Sequence, residues 1–440
     1  MRMKRFQAIS VLAAAISLGF ASTAQAQSLQ ELYDAARVYD ATYLAARALA
    51  QSAEFKAAQS DALKRPSAAL AANANTSALD VPRAGMGDSH SIGASISGKY
   101  PLFNRSSDAK VAQARKSLEV AQADLESAEQ DLIVRVAQAY FDVLAAQDTL
   151  STTQASKKAI TEQLASAKRN FEVGTATITD TREAQARFDL ATAQEIKAEN
   201  DLRTTRIALD QLVGRSGITP QLLAVPVVLP PVAPANPEEW VSVADNQHPT
   251  VRRARLGLDV ATLEIANARA ANAPTIDAVG TLGTTRGSGN FATTSGISKN
   301  ASLGVQLNMP LYTGGFNQNR IKETLSLEEK SRSDLEAARR GVAQGTRVAY
   351  FGVLSGQAQV KALEAAEAST KLALEATQLG YRVGVRVNLD VLNAQTQLFT
   401  TQRDLAKARY DVLVAGLRLR QASGQLSPPD IDAVNRLLAK

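Results

Sequence analysis

Residues 379–424, LGYRVGVRVNLDVLNAQTQLFTTQRDLAKARYDVLVAGLRLRQASG, have a divergent counterpart between Arg169 and Gly214 of the same chain. Aligned on Val173-Gly174 and Val383-Gly384, the copies stand 210 positions apart, and at that offset Asp180 falls on Asp390 and Ala184-Gln185 on Ala394-Gln395. Upstream, Tyr140-Phe141 with Val143-Leu144 falls on Tyr350-Phe351 with Val353-Leu354, so the duplication reaches well beyond the turn. The chain is an internal two-fold repeat.

Each copy reads as a helical hairpin. Ala-rich sequence ends at a glycine suited to left-handed backbone, a short loop comes next, and an Asp or Asn restarts the helix as its N-cap. Helices are expected over 180–213 and 390–422, and Asp180-Thr181-Arg182-Glu183 has capping-box spacing. Past the second turn Val391, Leu398, Leu405, Val412 and Leu419 recur every seventh residue, with Ala394, Thr401, Ala408, Ala415 and Ala422 as a smaller seam. Val111, Leu118, Leu125 and Leu132, with Ala114, Ala121 and Ala128, repeat the arrangement in the first half. Such periodicity implies supercoiled, closely approaching helices, and taken alone it fits an ordinary two-stranded coiled coil.

Met1 to Ala26 carries Arg2, Lys4 and Arg5, an apolar run from Ile9 to Phe20, and Ala24-Gln25-Ala26, the three parts of a secretory signal with cleavage expected after Ala26. The sequence has no cysteine, so neither a lipid anchor nor a disulfide is expected. Removing the signal takes away three basic residues and no acidic one, lowering the net charge from +6 to +3. That mild excess is interspersed with acidic residues and gives no reason to expect nucleic acid. Aromatic residues make up only 5% of the chain, which suits long Ala-rich helices better than a globular interior.

After the signal no stretch has the apolar length of a membrane-spanning helix, so insertion would have to use strands. Four segments change to period two: 66–79, 89–102, 274–285 and 300–312, with Pro101–Phe103 and Pro310–Tyr312 expected to close the later strand of each pair. Each has about the ten residues a tilted transmembrane strand needs. A pair of soluble hairpins is the competing reading. In a bilayer four strands would leave two unpaired edges, and the smallest barrels have about eight strands, so two or more chains would have to share one barrel.

Helices over 105–171 and 316–381 contain no proline and would each extend roughly 100 Å at 1.5 Å per residue. Shorter helices are expected over 29–63 and 238–271. The organisation is therefore a signal over 1–26, a first repeat over 27–225, a proline-rich linker over 226–237, a second repeat over 238–424, and a C-terminal surface segment over 425–440 with a short helix after Pro428-Pro429.

FEVGTATITD (Phe171–Asp180) and YRVGVRVNLDVLNAQ (Tyr381–Gln395), with YF-x-VL before each and the duplicated strand pairs, resemble the TolC family of outer-membrane efflux and secretion ducts over essentially the whole mature chain. The resemblance implies a membrane α+β fold: a homotrimer giving a twelve-stranded barrel in outer-membrane lipid, four strands per chain, continuous with a long periplasmic α-helical barrel. It implies a periplasmic adaptor docking at the helical tip, around Val173, Gly174, Val383 and Gly384, and an inner-membrane RND or ABC transporter. It places Asp390 in a constriction ring favouring cations. The family's second ring aspartate is Asn393 here, which predicts a weaker field. Tyr381 and Arg386 match residues that hold the closed tip against the neighbouring hairpin, where Thr179 and Asp180 match the partners.

Catalysis finds little footing. His90, expected in a loop tip, and His248 lack acidic partners at metal-ligand spacing and read as surface residues. Gly283–Gly289 lacks a GK[ST] and a following helix. Neither an enzyme, a cofactor nor a metal is expected. The alternative to a conduit is an exported coiled-coil scaffold or adhesin with no pore.

Overall fold

The computed structural model describes residues 26–82, 85–224, 226–289 and 295–439. The expected signal segment lies, except for Ala26, outside them.

In chain order the elements are α1 (Leu29–Tyr39), α2 (Ala41–Asp61), β1 (Ser67–Val81), β2 (Gly85–Phe103), α3 (Arg105–Glu172), α4 (Ile178–Val213), α5 (Pro237–Gln247), α6 (Pro249–Ala270), β3 (Thr275–Ser288), β4 (Gly296–Asn308), α7 (Phe316–Arg382), α8 (Asn388–Ala422) and α9 (Pro428–Asn435). The expected single helices over 29–63 and 238–271 are each split in two. Asp40 caps the C-terminus of α1 with extended backbone while its Oδ1 accepts from the Tyr43 N–H at 2.8 Å, restarting the chain as α2. His248 holds extended backbone at the end of α5, as the residue before Pro249 must.

Contacts divide the chain into two units. One comprises Ala46–Glu126 and Pro249–Gly341 and contains the sheet, antiparallel in the order β1-β2-β3-β4. In register, Leu70 lies opposite Ile96, Ile96 opposite Leu282, and Leu282 opposite Ala301. Side chains alternate across a strand, so these residues share a face with Ile92, Leu303, Val305 and Leu307. That face is apolar yet bare, Leu303 being 90% and Leu70 75% exposed. The opposite face carries Asn73, Asn75, Ser91, Ser95, Ser97 and Lys99, and Lys99 Nζ pairs with the buried carboxylate of Asp277 at 2.8 Å. β1, β2 and β3 exceed the expected lengths because the polar connecting stretches continue the ladder, and β4 keeps its expected length but begins earlier, at Gly296. His90 consequently sits in β2 opposite Thr76, in a strand and not a loop tip. Pro101–Phe103 does close β2, with a register shift, whereas Pro310–Tyr312 falls outside β4. Asn308, the last residue of β4, lies opposite Thr275, the first of β3, so the ladder runs out of partners before Pro310 is reached.

The other unit comprises the described residues of Met1–Ala45, Ser127–His248 and Val342–Lys440. The repeat is visible in its geometry. Tyr140 and Phe141 meet edge to face at 5.4 Å, and Tyr350 and Phe351 do the same at 5.5 Å. Each tyrosine ties down extended chain: the Tyr140 hydroxyl donates to Gln221 O at 3.0 Å, and that of Tyr350 to Ala235 O. The proline-rich linker lies on α7 and α8. Val232 packs with Trp240, Tyr350, Val353 and Leu419, and Leu229 with Val360, Leu405 and Val412. The C-terminal segment is not merely superficial, since Ile431 and Val434 of α9 are buried and Asn435 Oδ1 accepts from the Leu29 N–H at 3.0 Å.

Candidate functional site

The two hairpin turns have the same backbone construction. At the end of α3 the Gly174 N–H donates to Phe171 O at 3.0 Å and the Thr175 N–H to Asn170 O at 2.8 Å. At the end of α7 the Gly384 N–H donates to Tyr381 O at 3.1 Å and the Val385 N–H to Gly380 O at 2.9 Å. Both patterns are Schellman closures, and both glycines take the left-handed backbone those closures require, φ 79° and 80°. Val173 and Val383 stand exposed at the turns.

The restarts differ from the expectation. Thr177, not Asp180, is the N-cap of α4: its Oγ1 accepts from the Asp180 N–H at 3.2 Å, and Asp180 Oδ2 accepts from the Thr177 N–H at 2.9 Å. Asp180 is therefore the third helical residue of a reciprocal capping box, and the spacing Asp180–Glu183 forms none. In the second copy Val387 takes the cap position without a side-chain acceptor, and Asp390 Oδ2 accepts from the Val387 N–H at 3.4 Å. Both aspartates sit in the first turn, where the positive end of the helix dipole favours a carboxylate.

Between the hairpins Leu392 of α8 is fully buried among Ile160, Leu164 and Ala167 of α3 and Ala184 and Ala191 of α4. Three polar contacts surround it. Asn170 Nδ2 donates to the Tyr381 hydroxyl at 3.2 Å, Gln163 Nε2 donates to Asn388 Oδ1, and Arg187 Nη2 donates to Asn393 Oδ1 at 2.9 Å. Of the expected latch residues, Tyr381 thus does join the hairpins, but through Asn170. Arg386 pairs along its own helix start with Asp390, Nη1 to Oδ2 at 3.7 Å. Within one chain it does not reach Thr179 or Asp180.

Sequence reasoning missed Asn170, Gln163, Arg187 and Asn388. All four lie where the two copies disagree at the 210-residue offset: Asn170 against Gly380, Gln163 against Ala373, Arg187 against Gln397, Asn388 against Ile178. Divergence between copies was the available signal, because a contact between hairpins needs complementary residues and not repeated ones.

Among the described residues no group of three or more His, Cys, Asp or Glu side chains is arranged to hold a metal ion, and no helix is long and apolar enough to cross a membrane. What the chain offers instead is a sheet with a bare apolar face and two paired hairpin tips.

Those features define the protomer class of an outer-membrane channel, α+β with four strands per chain. The chain belongs to the outer membrane efflux protein family, whose model matches residues 20–215 and 240–425. It is 34% identical over 436 residues to the outer membrane protein TolC of Vibrio cholerae serotype O1, covering 98% of each chain. It is also 32% identical over 351 residues to the alkaline protease secretion protein AprF of Pseudomonas aeruginosa, covering 79% of this chain and 72% of AprF. In fold it resembles the crystal structure of the outer membrane protein VceC from Vibrio cholerae, with a TM-score of 0.76 at 20% identity over 90% of this chain and 96% of VceC.

Proposed function

We propose that three copies of this chain form the outer-membrane exit duct of a tripartite efflux pump or type I secretion system. The observation that carries this reading is the sheet: an exposed apolar face backed by a polar one, with β1 and β4 left as open edges, on the chain that also carries two matched hairpin tips. Three sheets joined edge to edge close a twelve-stranded barrel and satisfy every edge in hydrocarbon. A non-pore scaffold has no use for that face.

In this reading the helices continue the duct into the periplasm. The turns around Val173-Gly174 and Val383-Gly384 present exposed valines to a periplasmic adaptor, which links the duct to an inner-membrane RND or ABC transporter. Asp390, repeated by symmetry, lines the narrowest aperture beside Asn393. Tyr381 and Arg386, with Thr179 and Asp180 of a neighbouring hairpin, restrain it. The duct is passive and carries no catalytic step, and its cargo, small molecules or proteins, is chosen by the transporter recruited.

The test is planar-bilayer conductance of the full-length mature protein beside Asp390→Ala. The expected result is a small current whose selectivity moves toward anions in the variant. A current indifferent to the substitution removes Asp390 from the aperture, and no current from protein shown to be trimeric rejects the duct.

A further inference from the structure

We propose that the second repeat holds a binding site for a neutral, single-ring aromatic molecule, in a cavity bordered by the linker, α5, α7, α8 and α9. The site does not depend on where the duct is narrowest.

The cavity measures about 170 Å³. Trp240, Val353, Leu413, Leu417 and Val434 border it, and each is at most 8% exposed, so the space lies within the packing and is not a surface groove. Gly416 of α8 opens it: an added Cβ there would meet no atom within 4 Å. At the 210-residue offset the first repeat has Arg206 in that place, so the opening is not built into both copies. An empty space of this kind forfeits dispersion contacts along its walls. An apolar cavity of about 150 Å³ stays dry and takes up benzene, and this one is of the same order.

The polar groups at the border fix the chemistry of the occupant. Three bordering side chains carry donors, and each is engaged within the chain. Trp240 Nε1 donates to Pro234 O at 2.9 Å, Gln357 Nε2 donates to Pro230 O at 2.9 Å, and Arg420 Nη1 donates to Asp430 Oδ1. Arg420 and Asp430 neutralise one another, so a charged ligand would be desolvated without a free counter-charge. Water needs several polar partners, and these are taken. With its N–H bonded to the linker, Trp240 offers the cavity its ring, which prefers another ring stacked on it or meeting it edge to face. A neutral aromatic fits these walls better than an ion, a water cluster or a saturated chain. Once bound, it ties the linker to α5, α7, α8 and α9.

Trp240 is the only tryptophan of the chain and reports directly on the site. The experiment follows its fluorescence in the full-length mature protein in detergent as iodobenzene, a heavy-atom quencher on contact, is added to the wild type, Gly416→Ala and Gly416→Leu. Wild-type emission should fall along a saturating curve and recover with excess benzene, and benzene should raise the thermal midpoint by a few degrees. Gly416→Ala, which strengthens the helix without filling the space, should keep the saturating curve. Gly416→Leu should lose it and retain only the linear quenching due to the micelle, with a thermal midpoint no lower than that of the wild type. A linear wild-type response overturns the site, because something else then fills the cavity, an alkyl chain or a neighbouring subunit. A saturating curve that survives in Gly416→Leu places the bound ring elsewhere and overturns it too. A lowered midpoint in Gly416→Leu refutes the open space at α8, and the proposal with it.

Discussion

At the scale of single residues, glycines with the same backbone do unequal work. Gly174 and Gly424 both have left-handed φ, 79° and 73°, which costs other residues about 1–2 kcal/mol. A Cβ on Gly174 would meet nothing, but one on Gly424 would lie 2.5 Å from His248 Cα and 2.7 Å from His248 N, both backbone atoms that cannot swing aside. The end of α8 is pressed against the break between α5 and α6. Gly424→Ala should therefore lower the thermal midpoint, monitored by circular dichroism in detergent, clearly more than Gly174→Ala; equal shifts would mean the His248 backbone yields. The tip aspartates illustrate the same dependence on surroundings. Asp180 and Asp390 are equivalent in sequence, yet the first closes a reciprocal cap with Thr177 while the second, facing Val387, has a side chain shared with Arg386.

At the scale of elements, the joint between α1 and α2 depends on an ion pair to α3. Arg135 donates to both oxygens of Asp40, Nη1 to Oδ2 at 2.9 Å and Nη2 to Oδ1 at 2.8 Å, in the bidentate geometry that makes arginine–carboxylate pairs strong. The Asp40 side chain is only 9% exposed. Hydrogen bonding from Arg135 holds its carboxyl below the usual carboxylate range, outweighing burial, which pushes the other way. A depressed carboxyl contributes stability that is fully present above its unfolded value, near 4, and is lost as pH falls through the lower folded value. Asp40→Asn should cost about 1–3 kcal/mol at neutral pH, the loss of a buried charge-assisted bond. The gap from the wild type should narrow below about pH 4, in thermal unfolding measured at pH 7 and pH 3. A gap independent of pH would show that Asp40 acts through the N-cap to Tyr43 alone.

At the scale of the whole molecule, the repeat is symmetric in construction and asymmetric in exposure. Phe141 is 1% exposed and stacks on Tyr410 at 5.7 Å, whereas its counterpart Phe351 is 57% exposed with the same edge-to-face tyrosine beside it. Val348 and Leu354 are also exposed close by on α7. A duplicated core residue left bare in one copy is explained if a second chain covers it. Phe141→Ala should destabilise the subunit by about 3–5 kcal/mol. Phe351→Ala should leave the subunit's helix content and unfolding intact while weakening the trimer in native mass measurement at rising detergent. A trimer as robust as the wild type would place Phe351 on an uncovered face.

The sequence by itself determined the duplication, the long helices, the glycine turns and the presence of four strands, because each is set by local rules: seven-residue and two-residue periodicity, and the backbone that only glycine adopts cheaply. It located Asp390 and Tyr381 through the repeated turn motif. Tertiary structure decided what those residues touch. Asn170 meets Tyr381, Arg187 meets Asn393, and Leu392 packs against α3 and α4, each across a long separation in the chain, and nothing periodic marks them, since packing between hairpins selects complementary side chains. It also decided that Asp180 is the third residue of a helix capped by Thr177, that Asp40 breaks a helix, and that the C-terminal helix is anchored by Ile431 and Val434. The contact at Asn393 belongs to this second kind: the residue reads as a ring position until the fold sets Arg187 against it at 2.9 Å, because a hydrogen bond between hairpins depends on distances that only the fold fixes.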